Sequence, residues 1–172
     1  CNNNLNTLGK LSIRDLEQYK GIGSAKAITI LAACELGKRR QKATVEEAPI
    51  LNSAENIYQF MHTTIQDLDI EEGWVLMMKQ NFRLIEAKRI SVGGLTMAPV
   101  DLRLMMKEVL LKNTTVLAFC HNHPSGSTNP SREDDMLTSH IHKACDLLHI
   151  HFADHVILTD GGYFSYREEG KL

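Results

Sequence analysis

The stretch "FCHNHPSGSTNPSREDD", Phe119 to Asp135, brings together the side chains most suited to chemistry. Residues i and i+2 of a strand point to the same face, so His121 and His123, at the end of an apolar run, can both reach one ion about 2.0–2.1 Å away. After the loop Pro124 to Pro130, Ser131 opens a helix, and Asp134 in its first turn can swing back as an oxygen ligand. Two histidines and one carboxylate leave the fourth zinc position open for water, as in catalytic rather than structural sites. A metal-free reading stands beside this one. Ser131 with Asp134 is close to a capping box, and proline and acidic residues suit a helix start without any ion. The string "HNH" is not a nuclease signature, because that family spreads its histidines and asparagine over a longer hairpin.

The elements that must position these groups alternate. Ser53 begins an amphipathic helix reaching about Leu68, with Ile57, Phe60, Met61 and Ile65 on its apolar face. "GWVLMMK" and "RLIEAKRIS" read as a hairpin across "QNF", "DLRLMMKEVLLK" as a helix, and "TTVLAFCH" as a buried strand. "SREDDMLTSHIHKACDLLHI" is a long helix, and "HFADHVILTDGGYFSYRE" a strand, a turn and a strand. Helices interleaved with strands, one hairpin included, imply an α/β fold: a mixed sheet with helices packed on it.

Upstream, "LSIRDLEQYKGIGSAKAITILAACELGKRRQK" has Ser12 to cap a short helix, Gly21 and Gly23 to turn, and Ala27, Ile28, Leu31, Ala32 and Leu36 at helical spacing. No strand precedes the GxG, no third glycine follows, and no Lys-Ser/Thr pair follows, so neither a dinucleotide fold nor a P-loop is supported. What remains resembles one helix-hairpin-helix element, whose turn amides would face a DNA phosphate with Gly21, Gly23 and Lys26 at the contact. The competing reading is a plain helical hairpin, its basic run Lys38, Arg39 and Arg40 complementing a helix end. Residues 44–52, with Pro49 and no period, read as a linker.

Charge agrees with two units. Residues 1–43 carry 8 lysines and arginines against 3 acidic residues; the remainder carries 11 against 18. The net charge of -2 gives no global field to draw the chain onto nucleic acid. The four cysteines are widely spaced and form no CxxC pair, which disfavours a disulfide framework and a four-cysteine zinc site. No run of about 18 apolar residues suggests a membrane span, and no leader suggests secretion, so a cytoplasmic location is expected. The chain begins at Cys1 rather than methionine and is expected to be a piece of a longer one.

The whole pattern H-x-H-x7-S-x2-D, met by His121, His123, Ser131 and Asp134, resembles the JAMM signature of the JAB/MPN metallopeptidase-like fold. Within it, "HNHPSG" followed by "PSREDD" resembles the RadC family. The segment "A-x-E-L-G-x-R" (Ala33, Glu35, Leu36, Gly37, Arg39), the "GG" before the middle helix and the late "DHVI" match in order. The resemblance implies a three-layer α/β/α domain over residues 53–172, akin to the cytidine deaminases, behind a helix-hairpin-helix segment over 1–43. It implies one zinc ion per chain held by His121, His123 and Asp134. It also implies a glutamate at the start of the first strand that works on the zinc-bound water. In "DIEEGWVLMM" the choice lies between Glu71 and Glu72; the register counted back from Trp74 favours Glu71, although Gly73 stands where an aromatic is common.

The chemistry is coherent in its own terms. Zinc lowers the pKa of its water and polarises a carbonyl, Glu71 can take and return the proton, and the Ser131 hydroxyl can donate to a developing oxyanion. The expected function is a zinc-dependent hydrolase acting on a peptide or isopeptide amide, its helical unit a weak, non-specific DNA tether. The alternative is a DNA-repair-associated scaffold with a non-catalytic zinc site. A nucleobase deaminase is disfavoured, since its H-x-E and P-C-x-x-C pieces are missing. His140, His142, His149 and His151 read as surface or packing residues, Cys120 points away from its histidine neighbours, and His155 reads either as a buried, hydrogen-bonded histidine, the reading favoured, or as a group behind the metal ligands.

Overall fold

Polar caps and apolar alternation place the elements. The computed structural model describes residues 5–42, 47–93 and 100–172. It divides into two compact units, Cys1–Glu47 and Ala48–Leu172. The first contains α1 (Leu5–Leu8), α2 (Ile13–Glu17) and α3 (Ser24–Lys42). Ser12 caps α2 in a full capping box with Asp15, and Leu16 and Ala27 are the buried apolar contacts of this hairpin. Residues 44–46 of the expected linker lie outside the described residues.

The second unit begins with α4 (Ala54–Ile65), capped by Ser53 and burying Ile57, Met61 and Ile65. It ends at Ile65 with Gln66 as its C-cap, short of Leu68, which still packs against the same core cluster. Strands β1 (Glu72–Met78) and β2 (Leu84–Val92) form the expected hairpin. After α5 (Leu102–Leu111) come β3 (Val116–Asn122), α6 (Arg132–Leu147), β4 (His151–Thr159) and β5 (Gly162–Ser165). The "VGGLTMAP" loop falls largely on residues 94–99, outside the described residues.

The five strands form one mixed sheet in the order β2-β1-β3-β4-β5. Only β3 and β4 are parallel, because α6 carries the chain back between them; the other pairs are antiparallel. Along β3 the side chains alternate. Val116, Ala118 and Cys120 join a core cluster with α4, whereas Leu117 and Phe119 join one with α5 and α6. The result is three layers, with α4 on one face and α5 and α6 on the other. All of β3 is buried, as expected of a central strand covered on both sides. Each fully buried Leu, Ile, Phe or Met in these clusters contributes on the order of 1.5–3 kcal/mol, which is what holds the polar end of β3 in register.

Candidate metal centre

A crossover helix leaves the carboxyl end of one parallel strand and returns to the next, so the end of β3 and the start of α6 are neighbours, a common place for sites in α/β sheets. Here they bring three groups together. His121 Nε2 and His123 Nε2 are 3.0 Å apart. Asp134 places Oδ1 3.2 Å from His121 Nε2 and Oδ2 3.7 Å from His123 Nε2. One ligand atom from each residue lies within 4.8 Å of the others. His121 and Asp134 are buried and His123 is half-buried.

Both readings of Ser131 and Asp134 hold at once. The Ser131 backbone N–H and hydroxyl each donate to Asp134 Oδ2 at 2.7 Å, and the Asp134 N–H donates to Ser131 Oγ at 3.1 Å. The capping box therefore engages Oδ2 and turns Oδ1 to His121. His123 is held from behind: its Nδ1 lies 2.7 Å from the Ser127 carbonyl, which can only accept, so Nδ1 carries the proton and Nε2 faces the cluster. Gly126, in the left-handed region at φ +76°, turns the loop back so that this carbonyl arrives.

Two imidazole lone pairs and a carboxylate at this spacing need a cation among them, a proton or a metal. In the metal-free chain the proton serves. The hydrogen bond to Asp134 raises the His123 pKa above its ordinary value, helped by the Ser127 carbonyl and the Asp134 and Glu71 charges, and opposed by burial. Burial works against ionisation of Asp134, yet hydrogen bonds from His121, His123 and Ser131 outweigh it and hold the carboxyl far below the usual carboxylate range. The same nitrogen and oxygen donors suit a divalent metal ion.

The two glutamates separate cleanly. Gly73 pairs with His121 across the sheet, so alternation puts Glu71 on the histidine face and Glu72 on the other. Glu71 is half-buried, and its charge is felt at His123. Glu72 is 4% exposed and fully engaged: Oε1 accepts from Arg89 at 2.6 Å and Oε2 from the Trp74 indole at 3.1 Å. Gly73 is explained by its neighbours, since a Cβ there would sit 2.4 Å from Ser91 Oγ and 2.9 Å from the Phe119 ring. Phe119 fills that space.

The comparisons agree with this geometry. Residues 51–171 match the family described as the RadC-like JAB domain. The UPF0758 protein of Flavobacterium johnsoniae is 39% identical over 167 residues, covering 97% of this chain and 73% of its own. Those of Porphyromonas gingivalis and Rubrobacter xylanophilus are 35% and 37% identical, over 99% and 98% of this chain and 76% and 74% of theirs. The chain belongs to the RadC family.

In this RadC-family chain three further groups frame the site. Asn122, between the histidines, accepts from the Glu72 N–H at 2.7 Å and donates to the Ile70 carbonyl at 2.9 Å, so it grips the backbone on either side of Glu71. His155 is fully buried, with Nε2 2.9 Å from His121 Nδ1 and Nδ1 2.6 Å from Thr138 Oγ1. Burial pushes its pKa well below the ordinary histidine value, and the charge of His121 adds to that. His155 is the buried, hydrogen-bonded histidine expected, and one of its hydrogen bonds is to the cluster. Sequence reasoning missed Asn122 and Thr138; for His155 the reach to the metal site was one of two readings. A histidine inside the apolar run "ADHVIL" was the available signal. A polar cleft of about 490 Å³ borders His123, with Asp67, Asp69 and Asp160 on its wall.

The remaining candidates lie elsewhere. Gly21, at φ +88°, and Gly23 form the turn before α3, and the Lys26 ammonium donates to the Gly21 carbonyl at 2.8 Å. Ser24 donates to the Glu17 carboxylate at 2.6 Å beside the same helix start. His140, His149 and His151 are exposed and His142 is half-buried. Cys120 packs on the α4 side, and burial pushes its thiol up. Among the described residues no helix is long and apolar enough to cross a membrane.

Proposed function

We propose that this RadC-family chain is a zinc-dependent hydrolase that uses water to cleave an amide, a peptide or isopeptide bond. The observation that carries the reading is the convergence of His121, His123 and Asp134 with Glu71 on the same face. Zinc, when bound, supplies a Lewis acid that lowers the pKa of a coordinated water to about 7 and polarises a carbonyl. Glu71 is the proton carrier: it stands on the histidine face, its carboxylate has no hydrogen bond among the described residues such as those that tie Glu72, and the grip of Asn122 on residues 70 and 72 fixes its backbone. It takes the proton of the attacking water and returns it to the leaving amine. Ser131, exposed at the mouth of the site, supplies the oxyanion donor. Its hydroxyl leaves Asp134 Oδ2 to do so, and its own backbone N–H remains on that oxygen.

The basic balance of residues 1–43 supports the helical hairpin as a weak, salt-sensitive DNA tether at Gly21, Gly23 and Lys26. It also favours the second reading, a DNA-associated scaffold with an inert metal site. Glu71→Gln decides between the two. It should keep one zinc per chain by elemental analysis and lose about 10²–10⁴-fold in turnover on any amide substrate the parent cleaves. A parent that binds zinc and cleaves none of a broad peptide and isopeptide panel points to the scaffold.

A further inference from the structure

Behind the three candidate ligands runs a chain of buried hydrogen bonds. Thr138 Oγ1 donates to the Asp134 carbonyl one turn earlier in α6 at 2.6 Å, and the same oxygen lies 2.6 Å from His155 Nδ1. His155 Nε2 lies 2.9 Å from His121 Nδ1, and His121 Nε2 lies 3.2 Å from Asp134 Oδ1. Thr138, His155 and His121 are all at most 4% exposed, so water cannot substitute for any of them. The His155 ring is fixed in place: it stacks on Tyr166 at 4.8 Å and 5°, and meets Phe119 edge-on at 5.0 Å.

A metal on His121 Nε2 requires a lone pair there, so the ring proton must sit on Nδ1 and needs an acceptor. Among the described residues, the hydrogen-bonding neighbour of that nitrogen is another imidazole. His155 can accept on Nε2 only if its own proton is on Nδ1. That proton in turn needs an acceptor, which Thr138 Oγ1 provides because its hydroxyl proton has the Asp134 carbonyl to go to. Each of these three hydrogen bonds has one donor and one acceptor, and the chain runs from His121 to the backbone of Asp134, the residue that supplies the third ligand.

We propose that His155 and Thr138 are positioning residues that hold His121 in its Nδ1–H tautomer and so commit Nε2 to the metal. The inference rests on the metal-centre reading above. A buried imidazole here does the work that a carboxylate or carbonyl usually does behind a metal-ligating histidine.

Zinc titration against a competing chelator tests it on the full chain. His155→Phe keeps the ring volume and the Tyr166 stack but cannot accept, leaving a buried N–H on His121 without a partner. It should bind zinc about 10–100-fold more weakly than the parent. His155→Gln restores an acceptor and should recover most of that loss, which a packing role would not produce. Unchanged affinity in a folded His155→Phe, or a loss in His155→Gln as large as in His155→Phe, overturns the proposal. Should the phenylalanine variant not fold, nitrogen-15 spectra of the zinc-loaded parent decide: protons on Nδ1 of both His121 and His155 support the hydrogen-bond chain, and a proton on His155 Nε2 overturns it. A parent that binds no zinc removes the metal centre itself, an outcome distinct from a parent that binds and a variant that binds equally.

Discussion

Two helices of this chain open with the same local device. In "SIRD", Ser12 to Asp15, the Asp15 Oδ2 accepts from the Ser12 N–H at 2.8 Å and from its hydroxyl at 2.7 Å, and the Asp15 N–H returns to Ser12 Oγ at 3.2 Å. In "SRED", Ser131 to Asp134, the three distances are 2.7, 2.7 and 3.1 Å. The boxes are nearly superimposable, yet their surroundings differ. Asp15 is exposed, and its carboxyl is lowered by the Ser12 hydrogen bonds alone. Asp134 is buried against two imidazoles that hold it far lower despite the cost of burial. Four residues make the cap. What makes a candidate metal site is the sheet, which delivers His121 and His123 to the point where α6 begins.

The sharpest way to break the comparison is to remove the carboxylate from each box. Asp134→Ala should lose zinc to background in elemental analysis, while Asp15→Ala should retain one zinc per chain. Stoichiometric zinc in Asp134→Ala would reduce Asp134 to a cap and make the two boxes equivalent.

Acid separates the boxes by a smaller margin. The folded pKa of His123 is raised, so in the metal-free chain its proton stabilises the fold fully below the unfolded value of about 6.5, and that contribution fades as pH rises through the raised folded value. Metal takes the deprotonated ring, so zinc affinity moves the opposite way. It should fall about tenfold per pH unit below the raised His123 value and level off above it, with Asp134 ionised throughout because its pKa is so depressed. Asp15 has a lowered pKa, so its contribution is present above the unfolded carboxylate value and is lost only on acidification towards the folded one. Zinc affinity flat across pH 5 to 8, measured by chelator competition, would show that no proton is displaced from His123.

The legible parts of this molecule are those that obey local rules. Ser12, Ser53 and Ser131 announce helix starts, and the apolar runs of β1 and β3 announce strands, because caps and alternation need only neighbours in sequence. His121, His123 and Asp134 were legible for the same reason: two lie in one strand, and the third follows a short loop. The register counted from Trp74 favours Glu71 over Glu72, but what puts Glu71 on the histidine face is the pairing of Gly73 with His121, a contact between strands far apart in the chain. Asn122 has no signal in the sequence beyond its place between the histidines, and its use as a grip on residues 70 and 72 depends on that same pairing. Thr138 and His155 come together only because α6 packs over β4. Their polar atoms have no sequence period that would single them out from a satisfied core pair.

The smallest expected difference lies in the two serines. Ser12→Ala and Ser131→Ala each remove the side-chain acceptor for an aspartate N–H at a helix start, which typically costs about 1 kcal/mol. At Ser131 the loss should not propagate far into the metal site. The Ser131 backbone N–H still donates to Asp134 Oδ2, and the imidazoles still face the carboxylate. By linkage, the stability cost of Ser131→Ala measured with and without saturating zinc differs by the change in zinc affinity. Near-equal costs, a difference under about 1.4 kcal/mol, correspond to less than a tenfold change in affinity. Denaturant melts of the variant with and without zinc give this directly, and Ser12→Ala should show no difference at all. A loss above tenfold at Ser131 would mean that its hydroxyl, rather than its backbone, aims the third ligand, so that the cap itself belongs to the metal centre.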